Sequence, residues 1–156
     1  MNLLETQTAL SIIFALAVIL FFLYRFTYNP LKKLLKKAAL GDQEAQYELG
    51  RLYYRGKHAP QDYAQAFNWF ETAAKNGHVR TMNALAGLYN AGQGCTADPS
   101  KTFFWYQTAA DTGDFEARVN LAVCYLNGIG VAKDEAKGFE TMKAAADDKS
   151  PIAQTL

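Results

Sequence analysis

The chain has 156 residues, of which 50% are hydrophobic and 20% are charged. This composition is typical of a globular protein with one ordinary core and excludes an intrinsically disordered chain. The net charge is +1, but five basic residues lie between Arg25 and Lys37. The rest of the chain is therefore mildly acidic and does not favour nucleic-acid binding. Cys95 and Cys124 have no metal-ligand spacing and are too few for a disulfide framework.

An apolar segment begins the chain. Residues 8–24 contain no charged residue, Gly or Pro, and a helix of this length spans roughly 26 Å, near the lower limit for crossing a bilayer core. A cleaved signal peptide is the alternative interpretation. It would have basic residues before the apolar run and small residues after it, whereas here Glu5 precedes the run and Arg25 follows it. We therefore predict a single-pass transmembrane anchor in residues 1–28.

A basic amphipathic helix is predicted for residues 29–41, next to the membrane. Asn29 and Pro30 are typical of a helix start, and the apolar residues that follow have helical spacing. The opposite face carries Lys32, Lys33, Lys36 and Lys37. These lysines either bind anionic lipid or are solvated and only set the topology. The same segment could serve as an N-terminal half-repeat that caps the repeats described below.

The positive charges also predict an orientation. All five lie on the C-terminal side of the apolar segment, and no basic side chain precedes it. The positive-inside rule then places the N-terminus outside and the following residues in the cytoplasm, as in a protein of a bacterial inner membrane.

From Asp42 onward the sequence repeats with a period of 36 residues, in the units 42–77, 78–113 and 114–149. The matched positions include Leu49, Leu85 and Leu121; Tyr53, Tyr89 and Tyr125; Gly56, Gly92 and Gly128; and Phe67, Phe103 and Phe139. Such self-similarity predicts an all-α solenoid of three helix-turn-helix repeats. Residues 150–156 would begin a further, truncated helix.

Each repeat is predicted to contain two antiparallel helices. The recurring Gly suits the left-handed residue just past the end of the first helix. Asp62, Asp98 and Asp134 recur before the second helix, and an Asp in that position caps exposed backbone N–H groups. We therefore interpret these carboxylates as caps and not as catalytic acids.

Several segments carry a family resemblance: AQYELGRLYYRG (45–56), the turns GQG and GIG, and FWYQTAADTG (104–113). They resemble the Sel-one-like repeat (SLR) family, a relative of the tetratricopeptide repeats. Residue 58 departs from the pattern, because His58 stands where the turn of the family has its second Gly. Membership would imply an adaptor or scaffold, often in membrane-associated assembly, protein quality control or bacterial signalling.

The first helices of such repeats usually line a concave surface. Beside the core positions, eight residues are candidates for partner binding: Tyr47, Arg51, Tyr54, Asn83, Asn90, Val119, Val123 and Leu126. Their identity changes between repeats while the core positions stay fixed, and Tyr and Arg are frequent interface anchors. The alternative is that Tyr47 belongs to the core and the others face water. Val119, Val123 and Leu126 predict an apolar patch for a partner or for self-association.

No residue pattern predicts catalysis. His58 and His78 lack a triad or zinc-site arrangement and are expected in exposed loop or cap positions. There is no phosphate-binding loop or dinucleotide fingerprint, so we predict neither an enzyme nor a cofactor or metal. The sequence favours a membrane-tethered scaffold or adaptor that binds proteins. The alternative is a noncatalytic subunit of an envelope or secretion assembly, with its repeats outside the cytoplasm.

Overall fold

The structure, a computed structural model, describes residues 11–20, 30–56 and 60–148. The regular elements in these ranges are all helices, which confirms the all-α prediction. The chain divides into two units, residues 1–33 and residues 34–156.

In the first unit, residues 11–20 are helical and exposed. No helix in the described part of the chain has the length and apolar character needed to cross a membrane. The structure therefore does not support the anchor predicted for residues 1–28. Most of that segment, residues 1–10 and 21–28, lies outside the described residues.

Helix α1 (Pro30–Ala39) has the predicted amphipathic character. All four of its lysines are exposed, whereas Ala38 is buried. The turn that follows α1 contains Gly41 with φ 90°, and the Asp42 amide donates to the Lys37 carbonyl at 3.2 Å. The turn at Gly77, with φ 93°, has the same backbone hydrogen bond one period later. This turn therefore has the geometry that follows the second helix of a repeat.

Six further helices form the three predicted repeats. They are α2 (Gln43–Arg55), α3 (Tyr63–Lys75), α4 (Val79–Ala91), α5 (Pro99–Asp111), α6 (Phe115–Asn127) and α7 (Glu135–Asp148). The starts of the first helices, and those of the second helices, recur every 36 residues. Helices that follow one another in the chain pack together from α2 to α7. The prediction of three helix-turn-helix repeats is thus confirmed, while residues 150–156 lie outside the described residues.

The recurring aspartates are helix caps, as predicted. The side chains of Asp62, Asp98 and Asp134 each accept a hydrogen bond from the backbone amide three residues later, at 2.9–3.1 Å. Asp42 and Asp114 do the same for the first helices of repeats 1 and 3. Each such cap stabilises its helix by about 1 kcal/mol, so these carboxylates have a structural role.

Aromatic pairs join one repeat to the next. The Phe67 ring meets the Tyr89 ring edge-on at 5.2 Å, and Phe103 meets Tyr125 in the same way at 5.4 Å. Phe139 occupies the equivalent position in repeat 3 but is 65% exposed. Its similarity to Phe67 and Phe103 in the sequence therefore does not extend to burial, because no tyrosine of a following repeat covers it in the described chain.

The second glycine of the inter-helix turn allows a close backbone contact between repeats. A Cβ atom at Gly94 would lie 2.0 Å from the Tyr63 carbonyl oxygen, and one at Gly130 would lie 2.0 Å from that of Pro99. Both glycines also have positive φ, 75° and 69°. The turn of each of these repeats thus rests on the start of the second helix of the repeat before it.

We expect Gly94→Ala to destabilise the fold. The methyl group would collide with backbone, and the left-handed conformation alone costs about 1–3 kcal/mol for a residue other than Gly. Gly87→Ala is the matched control. Outside its own helix, the added Cβ would meet only the Tyr106 hydroxyl oxygen, at 3.8 Å. Alanine also favours a helix over glycine by about 0.5–1 kcal/mol. Urea unfolding should show a loss of stability for the first variant only, and equal stabilities would contradict the close contact.

Candidate protein-binding groove

A groove of about 550 Å³ lies between the first helices of repeats 1 and 2, α2 and α4. We call it the first-helix groove. It is lined by Tyr47, Arg51, Tyr54, Arg55, Phe70, Ala84, Gly87, Leu88, Ala91 and Gln93. This volume is in the range of pockets that take a small molecule or a few side chains of a partner.

One wall of the groove is aromatic. The centroid of the Tyr47 ring lies 6.0 Å from that of the Phe70 ring and 4.9 Å from that of the His78 ring. Phe70 is buried, whereas Tyr47 is half-buried and lines the groove. Tyr47 therefore packs on the core with one side and remains available to a partner with the other.

The charged residues that line the groove are two arginines. The Arg51 guanidinium lies over the Tyr47 ring, 5.5 Å from its centroid, and pairs with the Glu48 carboxylate at 2.6 Å. Glu48 is outside the lining. Arg55 is exposed and forms no salt bridge within the described residues. The groove thus combines an apolar surface with a positive charge at the C-terminal turn of α2.

Tyr54 connects α2 to the turn of the next repeat. Its hydroxyl donates to the Gln93 Oε1 atom at 3.3 Å, and its ring meets the Tyr63 ring edge-on at 5.3 Å. Tyr54 and Gln93 both line the groove. Their hydrogen bond therefore closes the end of the groove that lies next to the turn after α4.

The space in the groove depends on Gly87. The equivalent positions in repeats 1 and 3 carry Arg51 and Val123, and a side chain at position 87 would enter mostly open space. Sequence reasoning missed the contributions of Arg55 and Gln93. Repeat 2 has a glycine at position 87, whereas repeats 1 and 3 have a larger residue at the equivalent position. This difference was the sequence signal that could have located the groove.

The other predicted partner-binding residues lie elsewhere. Asn83 accepts a hydrogen bond from Asn120 at 2.9 Å and donates to Glu116 at 3.4 Å, so it joins repeats 2 and 3. Asn90 is exposed. Of the eight candidates, the structure therefore brings Tyr47, Arg51 and Tyr54 together in one groove.

The three apolar candidates of repeat 3 differ in exposure. Val119 is half-buried beside a smaller cavity of about 300 Å³, and Val123 is 36% exposed. Leu126 lies so close to Gly138 that a Cβ there would be 2.7 Å from its side chain. Leu126 thus packs on α7, and the predicted apolar patch is smaller than the sequence indicates.

His78 occupies a helix-cap position, as predicted, but it is less exposed than expected. His78 is half-buried, because its ring contacts Tyr47 and its nitrogens lie 2.5 Å from Thr81 Oγ1 and 3.1 Å from a Glu44 carboxylate oxygen. It is the N-cap residue of α4, although its side chain makes no capping hydrogen bond. His58 lies outside the described residues. Within the described chain, no group of three or more His, Cys, Asp or Glu side chains could hold a metal ion.

Three consecutive segments of the chain, residues 43–78, 79–114 and 115–150, match the Sel1 repeat. The chain belongs to the Sel1 repeat family. Sel1 repeats generally mediate protein–protein interaction. No functionally curated protein matches the sequence significantly.

Solved structures support the assignment. A protective antigen of uropathogenic Escherichia coli that displays an SLR fold is 31% identical, with a TM-score of 0.72 over 75% of this chain and 25% of that protein. A Sel1 repeat protein from Oxalobacter formigenes is 27% identical, with a TM-score of 0.73 over 80% of this chain and 51% of that protein. This chain thus spans about a quarter and about half of their lengths. Cysteine rich protein B of Helicobacter pylori, 20% identical over 82% of this chain and 97% of that protein, shares the fold at a TM-score of 0.58.

We expect the two thiols to react slowly and at different rates. Burial raises the pKa of the Cys124 thiol to about 11 and also raises that of Cys95, whose Sγ lies 3.7 Å from the Leu88 carbonyl. Since the thiolate is the reactive form, Cys124 should have about one thiolate per thousand molecules at pH 8.

A thiol-reactive dye added to the folded chain tests this difference. Cys95 should react more slowly than in urea-unfolded chain, Cys124 more slowly still, and both rates should rise with pH. A Cys124→Ala variant assigns the two phases. Equal rates for the two thiols in the folded chain would contradict the burial of Cys124.

Proposed function

We propose that this Sel1 repeat protein is a membrane-tethered scaffold or adaptor that binds partner proteins through the first-helix groove. The observation that carries the proposal is the groove itself, in which one face of α2 presents Tyr47, Arg51 and Tyr54 opposite residues of repeat 2. Tyr and Arg are enriched among the residues that dominate protein interfaces. Their surroundings are already packed, so a partner would not have to order the wall of the groove on binding.

Membrane tethering is the second part of the proposal. It is supported by the uncharged run in residues 8–24 and by the basic segment after it. The four exposed lysines of α1 would attract anionic lipid headgroups, at about 1 kcal/mol for each lysine near the surface. The same charges support an orientation with the repeats in the cytoplasm.

A permanent subunit of a larger envelope or secretion assembly is the alternative. The observation that favours it is the 65% exposed ring of Phe139, at a position where repeats 1 and 2 pack a Phe against the next repeat. An aromatic ring exposed in this way would be covered in a stable complex. In this alternative the repeats lie outside the cytoplasm, and the chain would be unstable without its neighbours.

Site-specific photocrosslinking tests the groove. With benzoyl-phenylalanine in place of Tyr54, we expect covalent adducts with specific proteins in intact cells, because this side chain borders the groove. Asn68 is the matched control position, since it is exposed on a second helix, outside the groove. A second variant combines benzoyl-phenylalanine at position 54 with Val123→Glu. If partners bind only at the groove, this variant should form the same adducts and keep the same helicity. Adducts at Asn68 and none at Tyr54 would refute the proposed binding surface.

Membrane topology is tested with an exposed thiol. Because both native thiols are buried or half-buried, we replace them and introduce Lys143→Cys, an exposed position on α7. With repeats in the cytoplasm, a membrane-impermeant thiol reagent should label the chain only after the membrane is opened. Labelling in intact cells would support the envelope-subunit alternative, and recovery of the chain in the soluble fraction would refute tethering.

A further inference from the structure

The charged residues that line the first-helix groove are all positive. Two arginines and no acidic residue line it. Glu48 neutralises Arg51 from outside the lining, but Arg55 is exposed and has no salt bridge within the described residues. A carboxylate that entered the groove could pair with Arg55 and share the Arg51 guanidinium, and such charge-assisted hydrogen bonds are among the stronger polar contacts in proteins.

Away from its two arginines, the lining of the groove is largely apolar. Phe70, Ala84 and Leu88 contribute to this lining. Apart from its chain neighbours and the backbone of its own helix, a Cβ at position 87 would meet only the Tyr106 hydroxyl oxygen within 4 Å. This space suits one bulky apolar side chain of a partner, in a groove that the Tyr47 ring also lines. The Tyr54–Gln93 contact limits the groove at the turn, which favours a narrow ligand such as an extended peptide segment over a flat surface.

Building on the proposed function, we propose that the first-helix groove binds an extended acidic segment of a partner protein in which a bulky apolar residue adjoins Asp or Glu. The apolar side chain occupies the space over Gly87, and the neighbouring carboxylate pairs with Arg55 and Arg51. The apolar contact supplies affinity, while the arginines select against basic segments.

Short fluorescein-labelled Gly/Ser peptides test this inference by anisotropy with the full chain. The Leu–Asp peptide carries Leu followed by two Asp. In the Leu–Lys and Leu–Asn peptides, Lys or Asn replaces both Asp residues. In a fourth peptide, Ala replaces Leu and the two Asp residues remain. We expect the Leu–Asp peptide to bind at least about tenfold more tightly than the Leu–Lys peptide. This preference should shrink as salt is added, because mobile ions screen exposed charges.

Two variants separate the two contacts. Gly87→Leu fills the apolar space and should weaken binding of the Leu–Asp and Leu–Asn peptides by a similar factor. Arg55→Gln should reduce the preference for Asp over Asn and leave the Leu–Asn affinity unchanged. Arg80→Gln is the matched control, because Arg80 is exposed but lies outside the groove. Thermal melts establish that each variant is folded.

Equal affinity for the Asp and Lys peptides, or unchanged binding by folded Gly87→Leu, would overturn the inference. If Tyr54 still formed protein adducts in cells, the proposed function would stand and only the ligand chemistry would be wrong. Binding to phosphatidylserine vesicles that depends on Arg55, with no binding to any peptide, would also overturn the inference and assign the groove to lipid. Failure of both the peptides and the Tyr54 crosslinking would refute the groove as a protein-binding site.

Discussion

The packing of each second helix against the first helix of the next repeat is the constraint on which this structure depends. Phe67 and Phe103 reach across two successive repeat boundaries to Tyr89 and Tyr125. The turn at Gly94 rests on backbone of the preceding repeat with no room for a side chain. A repeat of this kind cannot bury its apolar face alone, so its stability comes largely from its neighbours.

This constraint also explains where variation is tolerated. The alanines at the helix contacts, such as Ala73 and Ala109, are fully buried, and a larger side chain there would separate the helices. Positions 51, 87 and 123 lie on the first helices outside those contacts, and they carry Arg, Gly and Val. Because the scaffold does not depend on these side chains, they can differ between repeats. The resulting gap at Gly87 makes one inter-repeat surface into a groove.

The two ends of the repeat array differ chemically. After α1, the turn at Gly41 has the same backbone geometry as the turns between repeats, and the buried Gln46 side chain donates to the Ala38 carbonyl. These contacts support the interpretation of α1 as a half-repeat that covers repeat 1. At the other end, the outward ring of Phe139 remains exposed. We therefore expect interaction surfaces along the first helices and around Phe139 on α7.

Much of the fold could be predicted from the sequence because its signals are local. A capping aspartate such as Asp98 and a left-handed glycine such as Gly92 act within a few residues of a helix end, and their recurrence every 36 residues defines the repeats. The groove could not be predicted to the same extent. Whether Tyr54 meets Gln93, whether Asn83 bonds to Asn120, and whether Leu126 packs on Gly138 depend on contacts between helices. Those contacts are set by the angles and distances at which the helices stack, and no local signal encodes them. The sequence by itself therefore determined the helices, their caps, the repeat family and the shared face of α2, whereas only the tertiary structure decided which side chains of neighbouring helices meet that face.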